Sequence, residues 1–308
     1  MRDRRRAPAS ILIALLLTLA GGSSPTAVAQ PEPRGDLAKA AIVFVGQGRD
    51  PSSIELFTMG PHGGNLHRLT RNDHADLQPV WSPDGTKIAW VVFPDSSCNC
   101  GPADVWVMNA DGSNRHNLTN DEGDLSHPTW SPDGSQLAFT RDYAIWVIDA
   151  DGTDEHRISR LGAFDFDPDW SPDGSRILFV STGRGTFDLF TMKPDGTDRV
   201  HLTHTTYIAE YHPAWSPDGS KIAFSGDHVT TQWHVDAMRA DGTGVHTVVD
   251  AYSLEPVWYP SGHKLAVYAC AADCGLYRIR ISGVGLEPLG RDRDVSGGEP
   301  DYRDVMPG

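Results

Sequence analysis

Six residues recur at one position and share one kind of chemistry: Gln78, His127, Asp167, His212, Glu255 and Glu299. Each directly precedes a proline, and successive members lie 49, 40, 45, 43 and 44 residues apart. All six offer oxygen or nitrogen lone pairs, and none is a lysine or arginine. Imidazole and carboxylate suit Mn²⁺ or Zn²⁺, which makes His127, His212 and Gln78 the candidate ligands of a divalent ion. The same ring of acceptors suits a cationic ligand or an inserted loop of a partner protein. It also suits plain hydration of a polar channel, so the three readings stand side by side here.

The prolines open a repeated segment that positions these residues. It reads PVWSPDGTKIAW from Pro79, PTWSPDGSQLAF from Pro128, PDWSPDGSRILF from Pro168, PAWSPDGSKIAF from Pro213 and, in worn form, PVWYPSGHKLAV from Pro256. Spacings of roughly 40–45 residues with short strands fit propeller blades. In S-P-D-G, proline presets φ, aspartate bonds back to the backbone and glycine accepts the left-handed conformation. Ile88 and Trp90 alternate with Ala89, as Ile222 and Phe224 do with Ala223, which is the period of a strand. A second D-G turn follows in MNADGSNRHNLT from Met108, IDADGTDEHRIS from Ile148, MKPDGTDRVHLT from Met192 and MRADGTGVHTVV from Met238. Each repeat therefore predicts four short antiparallel strands, numbered outward from an axis.

The expected fold is all-β: a six-bladed propeller over residues 41–308, after a linker at 30–40. The first repeat lacks an inner strand. Glu299-Pro300-Asp301-Tyr302 resembles Asp167-Pro168-Asp169-Trp170, and Tyr302 keeps the spacing of the series. The C-terminal strand is expected to complete the first blade and close the ring, leaving no long sheet edge.

Residues 1–29 read as a secretory signal: Arg2, Arg4, Arg5 and Arg6, then an apolar run from Ile11 to Ala20, then Ala27-Val28-Ala29 before a cleavage point at Gln30. The run is shorter than the roughly 20 residues of a spanning helix. A secreted or periplasmic, monomeric protein is expected, with no membrane span once the signal is removed. The formal net charge of −15 opposes nucleic-acid partners, whose binding rests on Lys and Arg. It favours cations and cationic ligands.

The repeated P-x-W-S-P-D-G with a downstream D-G and L-T resembles the TolB-type β-propeller repeat over nearly all of the chain after residue 30. The resemblance implies the fold and says little of function, because the same repeat builds binding modules and the lids of some peptidases. The α/β domain that precedes the propeller in TolB has no counterpart here, nor has the G-x-S-x-G elbow of the peptidases. Propeller lyases acting on uronic-acid polysaccharides have similar repeats and a histidine-rich axial metal site. A lyase would also need a cation for the uronate, and Arg71, Arg160 and Arg291 lie in connections next to the ring.

The remaining residues have plainer readings. Trp81, Trp130, Trp170, Trp215 and Trp258 recur with the repeat, as a packing layer does; Trp233 and Tyr207, in variable loops, are better placed to touch a ligand. Asp149 to Gly152 has the look of a calcium loop but lacks its further spaced ligands and is read as a turn. Cys98, Cys100, Cys270 and Cys274 form two close pairs, for which local disulfides are the default in an exported chain. No cofactor is called for beyond the divalent ion that the axial residues could hold. The favoured reading is a non-enzymatic scaffold binding a protein or cell-envelope component through its variable face and channel mouth. The alternative is a metal-dependent uronate lyase or related hydrolase.

Overall fold

The computed structural model describes residues 27–28, 42–47, 54–60, 66–94, 102–120, 123–182, 186–204, 208–228, 233–270 and 274–289. Every regular element among them is a β-strand. The third repeat shows the pattern. Leu125–Trp130 pairs with Gln136–Arg141, which pairs with Ala144–Asp149, which carries the short outer strand His156–Arg157. All three pairings are antiparallel, as the two D-G turns require.

Four repeats form separate four-stranded sheets. The first two share one eight-stranded sheet, whose halves are joined only through a parallel pairing at Ile54 and Ala75. Sheet pairing by itself thus gives four separate blades and one composite, where the sequence predicts six alike. The two halves meet because Ile54–Met59 and Ala75–Trp81 lie side by side where the chain passes from the first repeat to the second.

A second difference concerns the inner edge of the first repeat. The expected closing strand around Tyr302 lies outside the described residues. In the full-length chain the edge of Ile42–Gln47 is paired by Ala27–Val28, the end of the segment read as a signal, with Ala27 opposite Phe44 and Val28 opposite Val43. An unpaired strand edge presents a row of N–H and C=O groups that accepts an extended segment within reach. Ile42 and Met59 also pack against Leu276 and Leu289 of the last repeat.

The repeated tryptophans stand where a packing layer would. Trp81 joins a cluster with Val43 and Leu56 of the preceding repeat, Trp130 joins Val80 and Val105, Trp170 joins Ile145 and Val147, and Trp258 joins Val235 and Ala237. Burial of large apolar side chains is worth about 1.5–3 kcal/mol each, and here each cluster draws on two neighbouring repeats.

The second D-G turn does more than reverse the chain. Its glycine sits with φ of 78° at Gly196 and 83° at Gly242. A Cβ there would run into the backbone oxygen of Ile158 and of Leu202 respectively, each on the outer strand side of the preceding repeat. Gly112, Gly152 and Gly283 face the Leu69, Leu118 and Val248 oxygens in the same way, at 3.3–3.4 Å. The leucine of each L-T therefore abuts the next repeat's glycine. The threonine of L-T accepts from the third strand: the Leu56 N–H donates to Thr70 Oγ1 at 2.8 Å, and the Leu189 N–H to Thr203 Oγ1 at 2.9 Å.

This contact predicts the rank of two glycine substitutions. Gly162→Ala meets nothing within 4 Å and should cost about 1 kcal/mol for its positive φ. Gly196→Ala adds a backbone overlap and should cost about 1–3 kcal/mol more. Thermal melts of the two variants check this, and equal melting temperatures would count against the inter-repeat contact.

Candidate functional site

Proline explains why the inner strands bend toward the axis. It has no N–H to give to a ladder, so within a sheet it sits at edges or bulges. Each described inner strand slips register at that point: between Leu77 and Val80, Phe166 and Asp169, Tyr211 and Ala214, and Leu254 and Val257, with a matching slip opposite Ala138 and Thr140 in the third repeat. Two residues there face one on the partner strand, which is a β-bulge. The residue before the proline adopts positive φ in every case: 51° at Gln78, 51° at His127, 52° at Asp167, 47° at His212 and 54° at Glu255. Non-glycine residues rarely adopt this conformation.

These five side chains line one cavity of about 420 Å³. The cavity continues past the prolines and Val80, Thr129, Asp169, Ala214 and Val257 to Pro83, Pro132, Pro172 and Pro217 of the S-P-D-G turns. Among the described residues no lysine or arginine lines it. Five of the six residues expected at the mouth are thus brought together; Glu299 lies outside the described residues. So do Cys98, Cys100 and Tyr207. Cys270 is disulfide-bonded and stands opposite Cys274 in the hairpin register.

Hydrogen bonds run around the ring from repeat to repeat. Gln78 Oε1 accepts the His127 N–H at 2.8 Å, and Gln78 Nε2 lies 3.0 Å from His127 Nε2. His127 Nδ1 lies 2.9 Å from Asp167 Oδ1. Asp167 Oδ2 accepts the His212 N–H at 3.2 Å. With the Gln78 amide turned to serve both contacts, its N–H faces a lone pair on His127 Nε2. That arrangement places the ring proton on Nδ1, toward Asp167. The His127 and His212 rings are 5.7 Å apart, and His212 Nδ1 is buried with no hydrogen-bond partner.

One ligand atom from each of His127, Asp167 and His212 lies within 4.8 Å of the others. The sequence expectation named Gln78 with the two histidines. Asp167 stands with the two histidines, and Gln78 adjoins the group through His127. Two imidazoles and a carboxylate are donors that suit a divalent transition ion.

Charge is distributed unevenly over the site. Burial opposes charge on Asp167, but the His127 and His212 imidazoles outweigh it and hold the carboxyl down at about 2. Burial likewise opposes charge on His127, and the Asp167 carboxylate outweighs it, holding the imidazole above its usual value. Asp169, two residues farther in, was not singled out from sequence. Desolvation pushes it up to about 7, although it accepts the Trp215 N–H at 2.7 Å and the Thr129 hydroxyl at 3.3 Å. Its signal in the sequence is an acid at a position that holds Val, Thr, Ala and Val in four repeats, shared only with Asp301 near the C-terminus.

The fold and the site define a class: an all-β propeller of short repeats, with an axial cavity lined by acids and imidazoles. Residues 35–285 match the family model described as the TolB beta propeller domain, and the chain belongs to that family. Among solved structures it is similar to TolB from Acinetobacter baumannii, at 20% identity and a TM-score of 0.69, over 79% of this chain and 61% of that one. It is similar to a putative TolB from Agrobacterium tumefaciens, at 21% identity and a TM-score of 0.61, over 82% and 89% of the two chains. It is also similar to an oligogalacturonate lyase in complex with manganese, at 17% identity and a TM-score of 0.58, over 78% and 73%. At these identities the likeness concerns the fold, and the chain spans 61% of the length of the Acinetobacter protein. No curated protein sequence matches the chain.

The site should be most stable in mild acid. Asp169 keeps in the folded state a proton that the unfolded chain releases above 3.8, so its contribution falls as pH rises from about 4 to about 7. His127 contributes below 6.5 and loses that contribution as pH rises through its higher folded value. Asp167 contributes above 3.8 and loses it toward pH 2. Asp169→Asn imitates the neutral acid. It should remove on the order of 2 kcal/mol of the stability lost between pH 5 and pH 8. Melting temperatures across that range test this; an undiminished slope in the variant would contradict the assignment.

Proposed function

We propose that this protein is an exported binding propeller, whose axial cavity and surrounding loop face take a protein or cell-envelope component. The observation that carries the reading is the bulged ring. A repeated, proline-enforced backbone aims Gln78, His127, Asp167, His212 and Glu255 into one cavity that, among the described residues, no lysine or arginine lines. Supporting it are the net charge of −15, the signal-like residues 1–29, and the family, whose repeat builds scaffolds. The two halves of the composite sheet count as two blades in this reading, giving six, with the ring closed between the first and last repeats. The Cys270–Cys274 bridge that the hairpin register supports belongs to the same exported state. Among the described residues no helix is long and apolar enough to cross a membrane.

The test is charge reversal at the mouth. Glu255→Lys and Gln78→Lys should weaken capture of the partner from envelope extracts at least about tenfold, equivalent to 1.4 kcal/mol. Asp154→Lys, on an exposed outer turn, should leave it unchanged. Equal capture by all variants would move the binding site elsewhere.

One observation favours a second reading, a divalent metal centre serving a lyase or hydrolase: the His127, Asp167 and His212 donors converge. A structural neighbour is described as a lyase in complex with manganese. Such an ion would supply Lewis-acid polarisation of a substrate oxygen, and the three residues would hold it. Among the described residues the cavity offers no cation for a uronate: Arg71 and Arg160 are exposed residues outside its lining, and Arg291 lies outside the described residues, which leaves binding the better supported reading. Metal analysis of the purified protein decides. Near-stoichiometric Mn²⁺ or Zn²⁺, lost on His212→Ala, would establish the metal centre; absence of uptake from Mn²⁺-containing buffer would remove it.

A further inference from the structure

The backbone N–H groups of the ring residues follow a rule that reads from one repeat to the next. On the second strand of each repeat, one residue faces the position just ahead of the ring residue. It is Val91 opposite Leu77, Thr140 opposite Ser126, Val180 opposite Phe166, Ser225 opposite Tyr211 and Tyr268 opposite Leu254. Where it bears a hydroxyl on Cβ, that hydroxyl accepts the ring N–H of the next repeat. Asp167 donates to Thr140 Oγ1 at 3.1 Å, and Glu255 to Ser225 Oγ at 3.0 Å. Where it is a valine, the ring side chain of its own repeat accepts instead. Gln78 stands behind Val91 in this way and takes the His127 N–H; Asp167 stands behind Val180 and takes the His212 N–H. A buried N–H without an acceptor is costly, and one device or the other is present at all four of these seams.

At the first repeat the rule has a gap. Val45 pairs with Leu56 as Val180 pairs with Leu189, so it holds the same position, and it is a buried valine. A ring side chain should therefore accept the Gln78 N–H, yet among the described residues no side chain does, and the first repeat's inner edge carries only Ala27–Val28. Glu299 has the chemistry and the place in the series. Tyr268 also lacks a hydroxyl on Cβ, so the N–H of a sixth station would fall to the Glu255 carboxylate. The chain between is long enough. The outer strands of the first four repeats end at Arg68, Asn117, Arg157 and His201, ten or eleven residues before Gln78, His127, Asp167 and His212. The outer strand of the last repeat ends at Pro288, eleven residues before Glu299. Leu289, the next residue, already packs on Ile42 and Met59 of the first repeat.

The edge has two claimants. In the fourth repeat Asp169 faces Leu178, which pairs with Thr191. Val43 pairs with Thr58 in the same register, so Asp301, which holds Asp169's place in the repeat, would face Val43. In the full-length chain the partner of Val43 is Val28, which lies ahead of Gln30 and leaves with the signal. We propose that the inner edge of the first repeat is a docking site for residues 299–302 of this same chain. Ala27–Val28 occupy it until hydrolysis of the Ala29–Gln30 bond frees it; Glu299 then becomes the sixth station and accepts the Gln78 N–H. The proposal rests on the exported reading above and adds to it the moment of closure. The wall of the axial cavity is completed only in the processed chain, so the precursor does not present the finished mouth.

The experiment compares the full chain with the chain processed to Gln30, by hydrogen exchange and by melting. Amides of residues 299–302 should exchange at least about tenfold more slowly in the processed chain. Glu299→Ala should lower the melting temperature of the processed chain by about 2–4 °C and leave that of the full chain unchanged. Val45→Thr supplies the hydroxyl that Thr140 and Ser225 supply elsewhere, and in the Glu299→Ala background it should recover at least about half of that loss. Equal exchange in the two chains would overturn the proposal: both fast means no docking, both slow means no competition with the signal. A loss that Val45→Thr does not repair would overturn the role given to Glu299. Protection that appears only in a dimer and fades on dilution would overturn it in favour of a second copy. A chain recovered from its host still carrying residues 1–29 would overturn the export reading and the exchange together. Partner capture that stays sensitive to Glu255→Lys while residues 299–302 exchange alike in both chains would sink the docking and leave the binding reading intact.

Discussion

A missing hydrogen-bond donor governs this molecule. Proline at the head of each repeat cannot join the ladder, so the inner strand must bulge there, and the bulge turns the preceding side chain toward the axis. Everything at the candidate site follows from that geometry. The residue before proline is ordinarily biased to extended backbone, yet Gln78, His127, Asp167, His212 and Glu255 all adopt positive φ. Such strain persists only where surrounding structure over-determines it. Here the bulged N–H groups have partners: Gln78 Oε1 for His127, Thr140 Oγ1 for Asp167, Asp167 Oδ2 for His212, and Ser225 Oγ for Glu255. Two of those acceptors belong to the preceding ring residue itself, so the site also helps to hold neighbouring repeats together.

The outer contacts complete this arrangement. The glycine of the second turn abuts the outer strand of the preceding repeat, and the repeated tryptophans bury themselves across the same seam. An inner ring of polar links and an outer ring of close backbone contacts fix each sheet at two radii. Carboxylates within the repeats have different counter-ions. Glu55 meets Arg68 at 2.6 Å and Asp165 meets Arg199 at 2.8 Å, both permanent cations. Asp188 meets the His201 imidazole at 2.8 Å. Beside it Glu210 is pushed up to about 7, by burial first and by the Asp188 carboxylate among lesser causes.

Much of this was legible in the sequence because the repeat displays it several times. The S-P-D-G and D-G turns, the period-two strands and the tryptophan layer each recur, and their physical causes are local. The ring position was legible for the same reason, through the shared proline. What escaped was whatever depends on proximity between repeats. That Asp167 converges with the two histidines follows from which bulges are neighbours and how the side chains lean. The role of the second-turn glycine needed the preceding repeat's carbonyl in view. Trp233 stood out in a variable segment as a ligand contact, but its ring packs against Tyr211, 5.2 Å away, outside the cavity lining. The pairing of Ala27–Val28 with the first repeat could not have been anticipated, since nothing in that stretch repeats.

The bulge recurs with the proline, and the residue ahead of it is Gln, His, Asp or Glu on the same backbone conformation. Each station of the ring is therefore a socket whose fitting can be exchanged singly. Descent from a common ancestor can rewrite what such a molecule recognises one socket at a time, and an unequal set of fittings gives a ligand only one rotational way to enter an otherwise near-regular pore.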